Sequence, residues 1–248
     1  MIAARISIAA LGLGAFAWGA AMLPLFWRQS AIELVAGKIV AGAPYKPHIL
    51  QEQMAGVEAA ERAERCRPIA LRSAAIIRLR VLEETIAAGE RALIDPRMDQ
   101  LRASARRALA CSPADPFLWL VLYWTENART GFSAEHVRYL RLSYRLGAHE
   151  GWVAVRRSWL VLAVFEELPA DLAERAIGEF AGLVESGFYG GAVAILAGPG
   201  WPLRERLLAG LSQVTLAKRH ALAFQLGERG IDVAVPGVQP ADGRPPWR

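Results

Sequence analysis

Apolar side chains recur at helical spacing along nearly the whole chain, and no stretch shows the two-residue alternation of a half-buried strand. The first segment, Ile6 to Trp27, has 22 residues without a charge and is bracketed by Arg5 and Arg28. As a helix it would extend about 33 Å, enough to cross a bilayer core. Residues 1–28 are therefore expected to form an N-terminal transmembrane helix that contacts the lipid bilayer through residues 6–27. Trp27 would sit at the interface. Ala15 and Gly19 form a small-x-x-x-small pair that would pack against another membrane helix. The alternative is a cleaved signal peptide, because Ala15-Phe16-Ala17 has the A-x-A form; the apolar run continues past that site, which favours an uncleaved anchor. Arg5 on one side faces Arg28, Lys38 and Lys46 on the other, so charge counting leaves orientation open. A short N-terminal tail before a large C-terminal domain suits an N-in arrangement.

Residues 29–67 read as a helical connector: apolar spacing holds until Gly42, Pro44 and Pro47 interrupt it, and a second helix follows from His48 to about Cys66. Pro68 suits a first helical turn, where its missing N–H has no acceptor anyway, and the helix it opens runs to about Arg91. Ile69, Ala70, Ile76, Ile77, Leu79 and Leu82 supply its apolar stripe; Arg72, Arg78, Arg80, Glu83 and Glu84 face water. After a break around Asp95-Pro96, helices are expected at 98–111, 117–129, 134–146, 151–166 and 170–186. The segment GFYGGAVAILAGPG reads as a packed helical fragment and a loop, and a final helical pair from Trp201 to about Glu228 breaks near Gly210. The helical domain thus covers residues 68–230. The tail, 231–248, carries Pro236, Pro240, Pro245 and Pro246 and is expected to lie extended or hang free, with Trp247 as the residue that could dock it.

One stretch carries a recognisable spacing. In ALACSPADPFLWLVLYW, Ala108 and Leu109 end one helix, Pro113 marks the turn, and Trp119 and Leu122 share a face of the next. This resembles the tetratricopeptide repeat, and Trp152 follows Trp119 by 33 residues, close to that repeat's period. The resemblance covers roughly residues 97–187. Tyr123 and Glu126 depart from the pattern, as does Gly147-Ala148 where a Pro would stand. It implies an all-α fold in which the transmembrane helix precedes a stack of antiparallel helix hairpins offering a groove to a peptide or protein. Trp119 and Trp152 then fill the repeat core, while Trp124 and Tyr144, with Tyr123 and Tyr139, are candidates for partner binding. An anchor plus a short repeat domain also loosely resembles accessory proteins of bacterial polysaccharide synthesis and export.

Composition changes this picture only modestly. A hydrophobic content of 54% excludes general disorder. The formal charge of +5 comes from arginines spread along helices and mixed with Glu, which does not make a nucleic-acid surface. Cys66 and Cys111 flank the hairpin of residues 68–111, and antiparallel packing would bring them together. A disulfide there would contribute about 4 kcal/mol in the chain-entropy model; two buried thiols are the alternative. The bridge is preferred because it suits an exported domain.

His48, His136, His149 and His220 have no ligand spacing, so no metal and no cofactor is expected. GxSxG and Walker A sequences are absent, and Glu83-Glu84 and Glu166-Glu167 are neighbours that point apart on a helix. No catalytic residue is named and an enzyme is not expected. The resulting expectation is a membrane-anchored adaptor in the bacterial inner membrane, single-pass, with its C-terminal domain in the periplasm. It would hold together protein components of an envelope complex, its oligomeric state open. The rival is a permanent structural subunit of a larger membrane complex.

Overall fold

In the computed structural model, backbone is described for residues 2–43, 45 and 47–239, and side chains for the same residues except 2–4, 6, 24–30 and 47. All regular structure among the described residues is helical, and none of it is strand. Two compact units divide the chain, Met1–Thr125 and Glu126–Arg248.

The first unit contains α1 (Ile2–Val40), α2 (Pro47–Glu52), α3 (Met54–Arg62), α4 (Pro68–Ala87), α5 (Arg91–Cys111) and most of α6 (Pro116–Thr130). Its centre is α4, which packs against α1, α2, α3 and α5. Ala70, Leu71, Ala74, Ala75, Ile76, Ile77, Leu79 and Leu82 are all buried, a face too broad for a single neighbour. From α1 come Ile32, Val35, Ala36 and Ile39, spaced by three and four residues so that one stripe meets the core. Residues 29–67 add Leu50 and Val57 to it. Arg78 bridges three helices, its Nε and Nη2 donating to the Glu61 carboxylate at 2.7 and 2.6 Å and its Nη1 to Gln100 at 3.0 Å.

The expected membrane span over residues 6–27 is corrected: among the described residues no helix is long and apolar enough to cross a membrane. The apolar run is not an element of its own. It is the first half of one continuous helix, α1, whose second half carries Glu33 and Lys38 and enters the core. Ala15 is exposed, and a Cβ added at Gly19 meets nothing within 4 Å. The side chain of Trp27 lies outside the described residues, as do Pro44, Lys46 and residues 240–248.

The expected break at Asp95-Pro96 is also absent. Pro96 lies inside α5, where it removes only the N–H that would have reached the Ala92 carbonyl. Cys66 and Cys111 stand at disulfide distance, Cα to Cα 5.5 Å. Nearby, Arg107 Nη2 donates to the Ala63 carbonyl at 2.9 Å, tying the turn before α4 to α5. The start of α6 is set by Asp115, whose carboxylate accepts the N–H groups of Phe117 at 3.0 Å and Leu118 at 3.2 Å and pairs with Arg72 at 2.7 Å. Pro116 occupies the first helical position, and Trp119 Nε1 donates to the Pro113 carbonyl at 2.8 Å.

The second unit begins with the end of α6 and continues through α7 (Val137–Leu146), α8 (Gly151–Leu162), α9 (Ala170–Glu185), α10 (Tyr189–Ala197), α11 (Arg204–Ala209) and α12 (Leu216–Glu228). Its centre is α9, which packs against α8, α10, α11 and α12 through Leu172, Ala176, Phe180, Leu183 and Val184. The glycine-rich segment after α9 forms α10, as expected. Gly191 lets α10 approach α8 closely, since a Cβ there would meet Val155 at 2.8 Å. After α12 the chain runs without regular structure to residue 239; Val235 is buried, and Arg219 Nη1 donates to the Pro236 carbonyl at 2.6 Å.

Candidate functional site: an arginine-lined groove along α7 and α9

The second unit holds a buried charge at the junction of three helices. Val153, Arg157 and Val161 follow one another at four-residue spacing on the inner face of α8, so Arg157 occupies a core position; its side chain is 0% exposed. Its Nε donates to both Glu179 carboxylate oxygens at 3.0 and 3.1 Å, and its Nη2 reaches the nearer of them as well. Nη1 donates to the Ser143 carbonyl and hydroxyl at 2.8 and 2.9 Å, and Nη2 to the Gly147 carbonyl at 3.1 Å. The full donor set of the guanidinium is thereby used. Two of these acceptors are carbonyls at the end of α7, where the helix dipole favours a cation. The guanidinium also lies 4.2 Å from the centre of the Tyr144 ring.

This arrangement explains the local titration behaviour. Burial pushes the Glu179 carboxyl above the usual carboxylate range, against the hydrogen bonds and positive charge of Arg157. Burial also raises the Tyr144 phenol well above its ordinary value, with the Glu179 charge adding to the effect.

The solvent side of the same junction is grooved. On α7, Val137, Leu140, Ser143 and Tyr144 face inward, which leaves Arg138, Arg141 and Arg145 as an exposed stripe spaced by three and four residues. A cleft of about 400 Å³ is lined by these three arginines, Leu142, Tyr144, Leu172 and Arg175. A second, of about 270 Å³, shares Arg138 and Arg141 and extends to Phe132, Glu167 and Pro169. A third, of about 390 Å³, shares Tyr144 and Arg175 and leads past His149 and Glu179 to Ser186 and Phe188. The three clefts follow one another along α7 and α9, each sharing wall residues with the next.

The arginines are not equivalent. Arg141 forms an ion pair with Asp171, Nη2 to Oδ1 at 2.9 Å, which raises the arginine and lowers the carboxyl below its ordinary value. Arg138 donates to the Tyr139 hydroxyl at 3.0 Å and covers its ring at 4.8 Å. Arg145 and Arg175 are exposed and have no ion-pair partner among the described residues. Arg175 does add to the positive field that lowers Asp171.

Of the residues singled out in the sequence, Tyr144 is 5% exposed and forms a wall shared by two of the clefts, while Tyr139 is half-buried beside Arg138. In the first unit Tyr123 is 2% exposed and Trp124 half-buried. Trp119 and Trp152 are half-buried. Sequence reasoning missed Arg157, Glu179, Arg145 and Arg175. The first was legible as a charge inside the apolar stripe of α8; the last two were not, because their pairing across helices has no sequence spacing. No group of metal ligands occurs among the described residues. No family model matches the chain, and no curated protein or solved structure matches it.

Proposed function

We propose that this chain is a helical scaffold of tetratricopeptide-like character that binds a protein partner along the α7–α9 groove. The observation that carries the reading is the run of three neighbouring clefts with shared wall residues along α7 and α9, a surface on which a peptide could lie. Its rigid backing is the Arg157 and Glu179 cluster, which fixes the end of α7 against α8 and α9. Cys66 and Cys111 at disulfide distance favour an oxidising compartment, the bacterial periplasm in this proposal, and an envelope complex as the setting. Polysaccharide synthesis or export is the pathway that the sequence resemblance suggests.

A second reading, a permanent structural subunit, draws on a different feature. The first half of α1 exposes Ile8, Leu11, Phe16 and Trp18, each at least 66% accessible, a face that a stable assembly would cover. Photo-cross-linking separates the two. A benzophenone amino acid placed at Leu142 captures a partner if the groove is the binding surface; the same probe at Phe16 captures one if the subunit reading holds. Capture at neither position under native expression would remove both.

A further inference from the structure

The groove has a chemistry that selects its occupant. We infer that it takes an acidic peptide segment, one whose carboxylates alternate with apolar side chains, with Arg145 and Arg175 reading the carboxylates; this rests on the groove being the partner site.

Four arginines line the central and outer clefts. Against them stand Asp171, committed to Arg141, and Glu167 at the outer end. Glu179 on the inner side is committed to Arg157. Arg138 has the Tyr139 hydroxyl as its hydrogen-bond partner and feels the charges of Glu135 and Glu126. That leaves Arg145 and Arg175, from different helices and on one cleft, with five donors each in a fixed fork that matches a carboxylate. Between the arginines the cleft presents the half-buried Leu142, with Leu172 and Tyr144 buried beneath. A simple anion would leave Leu142 uncovered and reach one guanidinium at a time, and an apolar peptide would leave both guanidinium groups unmatched. The 10 residues of α7 run about 15 Å, the reach of roughly five extended residues, so two or three carboxylates on one peptide edge fit the arginine stripe.

The test uses the full chain and a fluorescein-labelled ten-residue peptide alternating Glu and Leu, read by fluorescence polarisation. Binding is expected to saturate, and Arg145→Glu with Arg175→Glu to weaken it by at least about tenfold. Arg145→Lys with Arg175→Lys should weaken it less, because charge stays while the fork is lost. Arg229→Glu, an exposed change outside the groove lining, should leave it within about twofold. Thermal melts of all variants, expected to match the parent, exclude loss of fold. The inference is overturned if the peptide fails to saturate at millimolar concentration, if its Gln-Leu counterpart binds equally, or if inorganic phosphate or polygalacturonate displaces it at equal carboxylate or phosphate concentration. Photo-capture at Leu142 that survives the double Glu substitution would also overturn it while leaving the groove as the partner site. Loss of capture in the wild-type chain would instead strike the functional reading itself.

Discussion

At the scale of single residues, Arg157 concentrates more interactions than any other side chain described above. A buried ion pair contributes little net stability relative to an apolar replacement of similar volume, but removing one partner strands the other. Arg157→Leu is therefore expected to cost about 3 to 5 kcal/mol, since Glu179 would be left buried without its cation. Arg157→Leu with Glu179→Leu should recover at least half of that loss. Urea unfolding of the three proteins provides the measurement, and equal losses in the single and double variants would show that the pair is not the cause. Tyr144 supplies a pH prediction. Its phenol is raised by burial, so the folded chain holds a proton that the unfolded chain releases near pH 10. The stability tied to that proton is present below pH 10 and declines as pH rises above it. Absorbance titration at 295 nm should show Tyr144 ionising only on unfolding, and Tyr144→Phe should lower the amplitude of that late step by one tyrosine. The alkaline behaviour of Tyr144 follows from its contacts and from no property of its neighbours in sequence.

At the scale of elements, the clearest lesson lies in how helices start, stop and continue. Pro68 opening α4 and the break near Gly210 are local steric signals, and both appear where the sequence places them. The start of α6 is set by Asp115 and Pro116, the cap and the first-turn proline, while Pro113 of the tetratricopeptide-like spacing lies in the turn before them. Asp115→Ala is expected to cost about 1 to 2 kcal/mol, from the cap and the pair with Arg72, read as a shift of the denaturation midpoint. An unchanged midpoint would show that α6 is held by burial alone. The α4–α5 hairpin is joined at its ends by Cys66 and Cys111. Cys66→Ser with Cys111→Ser, or added reductant, is expected to cost about 4 kcal/mol for a closed loop of this length. Thiol titration of the denatured chain without reductant should find no free thiol; two reactive thiols would remove the case for an oxidising compartment. In α1 the local signal misleads. An uncharged run looks like a separate span, yet helix propagation across Arg28 is favourable and the packing of Ile32, Val35, Ala36 and Ile39 makes it one element.

At the scale of the whole molecule, function depends on what folding brings together. The chain has a formal charge of +5 dispersed over 29 basic side chains, and no linear cluster marks a binding surface. Folding concentrates part of that charge on one groove of the second unit. Association that uses exposed arginines is screened by salt, so photo-capture at Leu142 should fall steeply between about 0.05 and 0.5 M salt as the Debye length shortens. Capture that is insensitive to salt would point to an apolar interface.

Helical class and most helix positions follow from periodicity and proline placement, which act over a few turns of chain; the facing of Cys66 and Cys111, 45 residues apart, needs only that two successive helices pair antiparallel. The continuity of α1, the burial of Tyr123 and Tyr144, and the meeting of Arg145 with Arg175 depend on which faces pack against which. Those outcomes are set by contacts between residues 30 or more positions apart or by the core as a whole, and a helical repeat pattern is the same whichever of its faces finds a neighbour.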